Sequence, residues 1–339
     1  FGVKSRSRGD IYIRFFRGGS ESQTVLMENR QGKKFVRKSV QGDGSRKLEK
    51  QEQWLKKHAK KVIGLQIPKI LQSFSEAGIY SLDLEYIPSQ ATLAEVILSA
   101  SDREASKYIN DILLWSEKIG PLVKSKKPNY KAYFADKVDS KFSKTLFEVP
   151  QFRNILKQSE IVINNVSYEH LLTSAAKIIQ TQFWKKKKFQ IESKEIHGDL
   201  TLENILVLKK MLWYLDPNGD NPISDLSVEW AKLFQSLHSQ YEFYPKSTGC
   251  RLVSQGKLTA LKIDFPKQSA YTREFLKLEK KIFVEKGPHF LALVYLHEAI
   301  HFVRLLPYKA RRSPELFLPY YARAVILMSE ARDRIESLL

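Results

Sequence analysis

The chain has 339 residues, and its 56 Lys and Arg outnumber its 37 Asp and Glu to give a formal net charge of +19. That length exceeds the size at which one hydrophobic core stops growing, so two lobes are expected, and the lone cysteine, Cys250, excludes an internal disulfide framework. No run reads as a bilayer span or a signal peptide, which points to a reducing, cytoplasmic setting, and the start at Phe1 leads to the expectation of an upstream domain.

In chain order, residues 11–16 (IYIRFF) predict a strand, residues 17–22 a loop containing Gly18, Gly19 and Ser20, and residues 24–28 a second strand. Gln31-Gly32 turns the chain into a third strand over 34–40. Residues 45–61 predict a helix carrying Glu49 and Glu52 one turn apart. Strands follow over 67–71 and 80–87, the second ending at Pro88. From about residue 89 onward the pattern is mainly helical, as over 93–98, 108–119 and 227–237. Polar stretches at 124–129 and 244–257 read as surface loops. The expected class is α+β and bilobal. A small antiparallel sheet with one helix occupies residues 1–88, and a larger, mainly helical lobe occupies residues 89–339.

The densest chemistry lies in residues 196–206, IHGDLTLENIL, followed by Trp213-Tyr214-Leu215-Asp216. Asp199 can orient a hydroxyl and accept its proton. Asn204 offers a neutral oxygen to a metal, and Asp216, at the end of an apolar run, adds a charged one. Magnesium takes a few hard oxygens together with those of a nucleotide's phosphates, so one carboxylate and one amide suffice. Residues 205–208 and 211–215 read as strands joined at Lys209-Lys210, a hairpin that returns Asp216 to Asn204.

HGDLTLENIL followed by LD resembles the catalytic and metal-binding loops of the aminoglycoside phosphotransferase and choline kinase families, relatives of the protein kinases. Asp216-Pro217-Asn218-Gly219 departs from the protein-kinase DFG. It is similar to a DPxG variant of phosphotransferase-like proteins associated with bacterial surface-polysaccharide genes, systems in which a nucleotidyltransferase can be fused upstream. Residues 219–226, GDNPISDL, resemble the family's GDP…DLA segment, which implies that Asp225 braces the catalytic loop and that His197 supports it structurally.

The resemblance implies a protein-kinase-like fold and further roles upstream. Gly18, Gly19 and Ser20 would drape backbone over phosphates, although paired glycines between strands also make a plain hairpin. Lys38 would grip the α- and β-phosphates, with the caution that Lys33, Lys34 and Arg37 share its strand and a one-residue slip would exchange them. Glu52 would hold Lys38, with Glu49 as the alternative. Backbone groups of Glu85, Tyr86 and Ile87 would meet the nucleotide base at a hinge.

One motif points elsewhere. His297-Glu298-Ala299-Ile300-His301 is an HExxH in an apolar helical stretch over 290–306. On a helix its histidines share a face and could grip zinc, with Glu298 as base and a third ligand from Glu315, Glu330 or elsewhere. The competing reading is a helix with two histidines on a partly polar face.

The basic balance, densest at 185–188 and Arg311-Arg312, invites a polyanionic ligand or an anionic membrane surface. No zinc-finger, RNA-recognition or helix-turn-helix pattern accompanies it, so nucleic acid is not expected as the main partner. The resulting expectation is an ATP- or GTP-dependent, magnesium-requiring phosphotransferase acting on a hydroxyl of a small molecule, a sugar or sugar derivative first. A choline or aminoglycoside kinase, a zinc peptidase and a non-catalytic kinase-like binding protein are the alternatives. Lack of the APE-type end of an activation segment weighs against a protein substrate.

Overall fold

The computed structural model describes residues 9–16, 22–59, 66–89, 91–119, 129–181, 194–219, 221–247, 249–255 and 258–339. By its contacts the chain forms two compact units, Phe1–Val96 with His197–Asn221, and Ile97–Ile196 with Pro222–Leu339.

The first unit is built on a five-stranded antiparallel sheet: β1 (Ile11–Phe16), β2 (Gln23–Glu28), β3 (Lys34–Gln41), β4 (Ile70–Glu76) and β5 (Ile79–Glu85), in the order β1-β2-β3-β5-β4. One helix, α1 (Ser45–Ala59), packs on it through β3, β4 and β5. The turn before β3 forms because Asn29 Oδ1 accepts the backbone N–H groups of Gln31 and Lys33, at 3.0 and 2.9 Å, while Gly32 takes φ +74°. Side chains alternate along β3, so Phe35, Arg37 and Ser39 share one face and Val36, Lys38 and Val40 the other. On the first face Val25, Met27 and Phe35 form a buried cluster.

Beside that cluster lies a buried ion pair that the sequence reading passed over. Arg37 and Asp83 are cross-strand neighbours, 0% and 1% exposed, joined by two parallel bonds of 2.7 Å. Gln72 Nε2 donates to the same carboxylate at 2.7 Å, and the rings of Phe35 and Phe74 cover the guanidinium. Two ladders agree with this register, Lys38 lying opposite Thr24 of β2 and Leu82 of β5. The unit is completed by β6 (Ala91–Thr92), β9 (Ile205–Leu208) and β10 (Met211–Tyr214), in the order β10-β9-β6. Lys209 and Lys210 both take positive φ, +51° and +63°, as a tight two-residue hairpin requires.

After α2 (Leu93–Ser99), the second unit contains α3 (Asp102–Lys118), α4 (Tyr130–Phe134), α5 (Ser140–Glu148), α6 (Arg153–Leu156), α7 (Leu171–Gln180), α8 (Leu226–Leu237), α9 (Tyr244–Ser247), α10 (Ser269–Arg312) and α11 (Pro314–Glu336). A capping box of Ser101 and Glu104 starts α3. Helix α10 packs against α8 and α11, burying Trp230, Phe234, Phe302, Val303, Tyr321 and Leu327. Its direction changes at Gly287 (φ +83°), immediately before Pro288.

Two expectations are corrected here. The described residues of 244–257 form helix α9 and a strand rather than a loop. Tyr244 is fully buried, and β11 (Gly249–Gln255) pairs with β12 (Leu258–Asp264), which runs parallel to β7 (Glu160–Ile163) and so joins β8 (Val166–Glu169) in a four-stranded sheet. The polar residues of the segment hid this strand; β11 pairs with the strand next in sequence, whereas the parallel continuation from β12 to β7 is set by tertiary contacts. Second, α10 does contain a window long and apolar enough to cross a membrane, but 83% of that window is buried inside the protein, as in a core helix.

Asp83→Ala leaves the buried Arg37 charge with only the more distant Asp10 carboxylate, at 3.8 Å, and is expected to cost about 3 kcal/mol, whereas pairing Arg37→Met with Asp83→Leu should cost far less, since an apolar pair leaves no buried charge at this place. Urea denaturation of the single and double variants checks both.

Candidate functional site

The site grows from two connected loops of the first unit. Gly198 takes φ +77°, and a Cβ there would stand 1.9 Å from Asn221 Nδ2 and 2.7 Å from the Asn218 carbonyl oxygen. Only glycine lets the loop containing Asp199 pass this close to the loop after Asp216. The Asn218 N–H donates to the His197 carbonyl at 2.7 Å, and the Leu215 N–H to the Asn204 carbonyl at 2.8 Å. These bonds set Asp199, Asn204 and Asp216 on adjoining segments.

His197 is fully buried, edge-on to Trp54 of α1 with ring centroids 5.6 Å apart. Burial pushes its pKa down to about 4, against the pull of Asp199, Asp216 and a hydrogen bond to the Leu215 backbone. A neutral ring packed in this way is not placed as a proton carrier.

Asn204 Nδ2 donates to the Asp199 carbonyl at 2.8 Å and to Asp199 Oδ2 at 3.0 Å. The amide orientation is thereby set, and Asn204 Oδ1 has no hydrogen-bond partner among the described residues. Asp216 is a non-glycine residue at φ +59°, a conformation that persists only where the surroundings enforce it. Its Oδ1 receives Lys38 Nζ at 2.5 Å and Gln51 Nε2 at 3.3 Å. Its Oδ2 has no partner among the described residues, and the side chain is 43% exposed. Two hard, uncommitted oxygens, one neutral and one charged, fit a magnesium ion that shares its remaining positions with phosphates and water.

Lys38 is 5% exposed and lies on the sheet face that α1 covers. Its observed carboxylate partner is Asp216, which corrects the expectation of Glu52 or Glu49. Glu52 accepts from Ser73 Oγ at 2.5 Å and from the Tyr80 hydroxyl, and it pairs with Lys56 at 2.7 Å. Burial and the adjoining Glu52 push the Tyr80 hydroxyl up to about 12. The reason is helical phase: adjacent residues differ by about 100° around a helix, so Glu52 faces β4 and β5 while Gln51 faces Asp216. Gln51 was missed because two carboxylates nearby drew the assignment, and nothing in the local pattern marks an amide as the inward residue. Gly219 lets α1 come close, since a Cβ there would lie 2.8 Å from the Lys50 carbonyl oxygen.

Glu85, Tyr86 and Ile87 follow one another at the end of β5, the Glu85 N–H donating to the Lys69 carbonyl and the Ile87 carbonyl accepting from Ser89, both at 2.8 Å. Asp225 belongs to the second unit, where it caps α8 by accepting from the Ser227 N–H at 2.7 Å. Gly18, Gly19 and Ser20 lie outside the described residues, as do Lys185 to Lys188 and Asp220.

The HExxH motif has a different use in the structure from the one a zinc site requires. His297, Glu298 and His301 are at most 1% exposed. Glu298 is held by Ser239 Oγ at 2.5 Å and His238 Nδ1 at 2.9 Å, and His301 Nε2 lies 3.2 Å from the Val228 carbonyl. His297 packs between the rings of Tyr130 and Tyr133, and burial pushes its pKa down to about 3. Glu315 is exposed, and no group of three or more His, Cys, Asp or Glu among the described residues is placed to hold a metal ion. The zinc-peptidase reading is set aside on this ligand geometry.

His197 and His297 both titrate below the 6.5 of an unperturbed imidazole when folded. The unfolded chain therefore binds more protons than the folded one as pH falls through 6.5. Their contribution is complete above pH 6.5 and is lost on acidification toward about pH 4 for His197 and about pH 3 for His297. The expected loss is about 1 kcal/mol per pH unit for each ring. Urea titrations between pH 7 and 5 check this, and His197→Gln should flatten the dependence.

No protein-family model matches the chain, and no curated protein sequence does. Solved structures match along nearly its whole length. The kanamycin and GDP complex of an aminoglycoside phosphotransferase, APH(2'')-IIIa, superimposes with a TM-score of 0.53 at 13% identity, covering 96% of this chain and 93% of its own. The GDP complex of a mutant aminoglycoside 2'-phosphotransferase IIIa gives 0.52 at 13% identity, covering 98% and 93%. A streptomycin–ATP complex of APH(2'')-IIa gives 0.50 at 12% identity, covering 94% and 92%. At such identities the likeness is one of fold: an antiparallel-sheet lobe joined to a helical one, the protein-kinase-like α+β arrangement seen in aminoglycoside phosphotransferases.

Proposed function

We propose that this protein is an ATP- or GTP-dependent phosphotransferase that moves the γ-phosphoryl group to a hydroxyl of a small molecule, a sugar or sugar derivative first. The observation that carries the reading is the convergence of Lys38, Asp199, Asn204 and Asp216 in one unit, with Asn204 Oδ1 and Asp216 Oδ2 both uncommitted among the described residues. Asp199 aligns the acceptor hydroxyl and takes its proton. Lys38 binds the α- and β-phosphates, Gly18, Gly19 and Ser20 cover them with backbone N–H groups, and the Glu85–Ile87 backbone meets the base. Asn204 and Asp216 hold magnesium, which when bound neutralises charge on the phosphates. Positioning and charge neutralisation supply most of the rate, with no covalent intermediate required. Residues 1–88 supply the nucleotide-binding lobe and the catalytic residues and acceptor site come from 89–339, in a cytoplasmic protein.

Two of the structural neighbours are complexes with kanamycin and with streptomycin, both hydroxylated small molecules. A formal charge of +19 disfavours a polycationic acceptor of that kind here. The Asp216-to-Gly219 variant and the segment 230–241 resemble the polysaccharide-associated branch, which favours a neutral or anionic sugar and a role near surface-polymer synthesis.

Thermal melts with ATP or GTP, with and without magnesium, test the reading directly. Nucleotide at about 100 times its Kd should stabilise the fold by about 2.7 kcal/mol, and the absence of any nucleotide effect would overturn the proposal. Asp199→Asn is expected to lower kcat by about 10²- to 10⁴-fold with nucleotide affinity retained. Asp216→Ala should instead abolish the magnesium-dependent part of nucleotide affinity, read by calorimetry.

A further inference from the structure

We propose that Gln51, on the α1 helix, is the positioning residue for Asp216. This deepens the reading above, since it presupposes that Asp216 holds the magnesium of a bound nucleotide. Asp216 sits in a left-handed conformation with its side chain 43% exposed, so its backbone alone does not settle where its carboxylate points. Both protein donors converge on Oδ1, Lys38 at 2.5 Å and Gln51 at 3.3 Å, which leaves Oδ2 presented without a partner among the described residues. When the phosphates of a nucleotide draw the Lys38 ammonium toward themselves, Gln51 is the described donor that still restrains Oδ1.

The rest of α1 is arranged to hold Gln51 there. Gly219 allows the Lys50 carbonyl to within 2.8 Å of where a Cβ would stand, and Trp54 packs on His197. Glu52, one residue on, ties the helix to the sheet through Ser73 and Tyr80. Gln51 is itself only 7% exposed, so its amide is not exchanging freely with water. An amide also suits the position chemically. It donates to Asp216 without competing for Lys38, whereas a carboxylate at the same place would repel Asp216 and draw the ammonium away.

The probe is ATP, titrated by calorimetry into the whole chain across a magnesium series and in EDTA, using wild type, Gln51→Met and Gln51→Asn. Methionine conserves the volume without the amide, and asparagine keeps the amide about one methylene short of Asp216. Both variants are expected to need about five- to tenfold more magnesium for half-maximal tightening, while ATP affinity in EDTA stays within about twofold because Lys38 is unchanged. An unaltered magnesium requirement in either folded variant overturns the inference. So does a parallel loss with and without magnesium, which would mean that Gln51 merely supports α1. If wild type itself shows no magnesium-dependent ATP binding, the phosphotransferase reading falls and this inference with it. Wild-type binding with indifferent variants removes Gln51 alone.

Discussion

The register of β3 is the constraint on which the candidate site depends, and the buried Arg37–Asp83 pair enforces it. Four cations, Lys33, Lys34, Arg37 and Lys38, crowd this part of the chain, and adjacent strand residues point to opposite faces. A one-residue slip would send Lys38 to the far face and bring Arg37 or Ser39 toward α1. Such a slip would leave Asp83 and Arg37 as separate charges in a site with essentially no exposure, a far larger penalty than a surface ion pair could offset. The bidentate geometry and the Gln72 bond hold the Asp83 carboxylate in the observed register. Lys38 is thus selected by a contact on the opposite face of its own strand.

The second constraint is the closeness of two loops. Gly198 and Gly219 are the points where a side chain would collide, the first with Asn218 and Asn221, the second with the α1 backbone. Between them Asp216 is held in a conformation that non-glycine residues adopt only when the surroundings enforce it. The hairpin of β9 and β10 sets the distance along the chain, and the Leu215–Asn204 bond closes it. What emerges is a pair of oxygens whose other hydrogen-bonding capacity is spent inside the protein. Under the proposed function, these are the two oxygens that would meet the magnesium of a bound nucleotide.

Chemistry-bearing residues can also be consumed by the core. His297, Glu298 and His301 satisfy a five-residue pattern that elsewhere binds zinc, yet here the carboxylate takes bonds from Ser239 and His238 and the imidazoles are buried neutral. A buried carboxylate with two donors links α10 to the end of α8. The motif is a local fact about spacing. Whether its faces converge on open space or on neighbouring helices depends on packing that spacing does not encode.

Much of this molecule was legible in one dimension. The strands of the first unit, the hairpin at Lys209-Lys210, the mainly helical second half and the nearness of Asp199, Asn204 and Asp216 follow from periodicity, turn residues and short sequence separation, which act locally and leave their mark in composition. The four-stranded sheet holding residues 249–255, the Arg37–Asp83 pair, the burial of α10 and the partner of Lys38 did not. Each of these depends on which elements meet, and an element's phase, once docked, decides which of two neighbouring residues faces inward. Glu52 and Gln51 differ by one position in the chain. Only the packing of α1 against the sheet and the Gly219 loop decided that the carboxylate would secure the helix and the amide would meet Asp216.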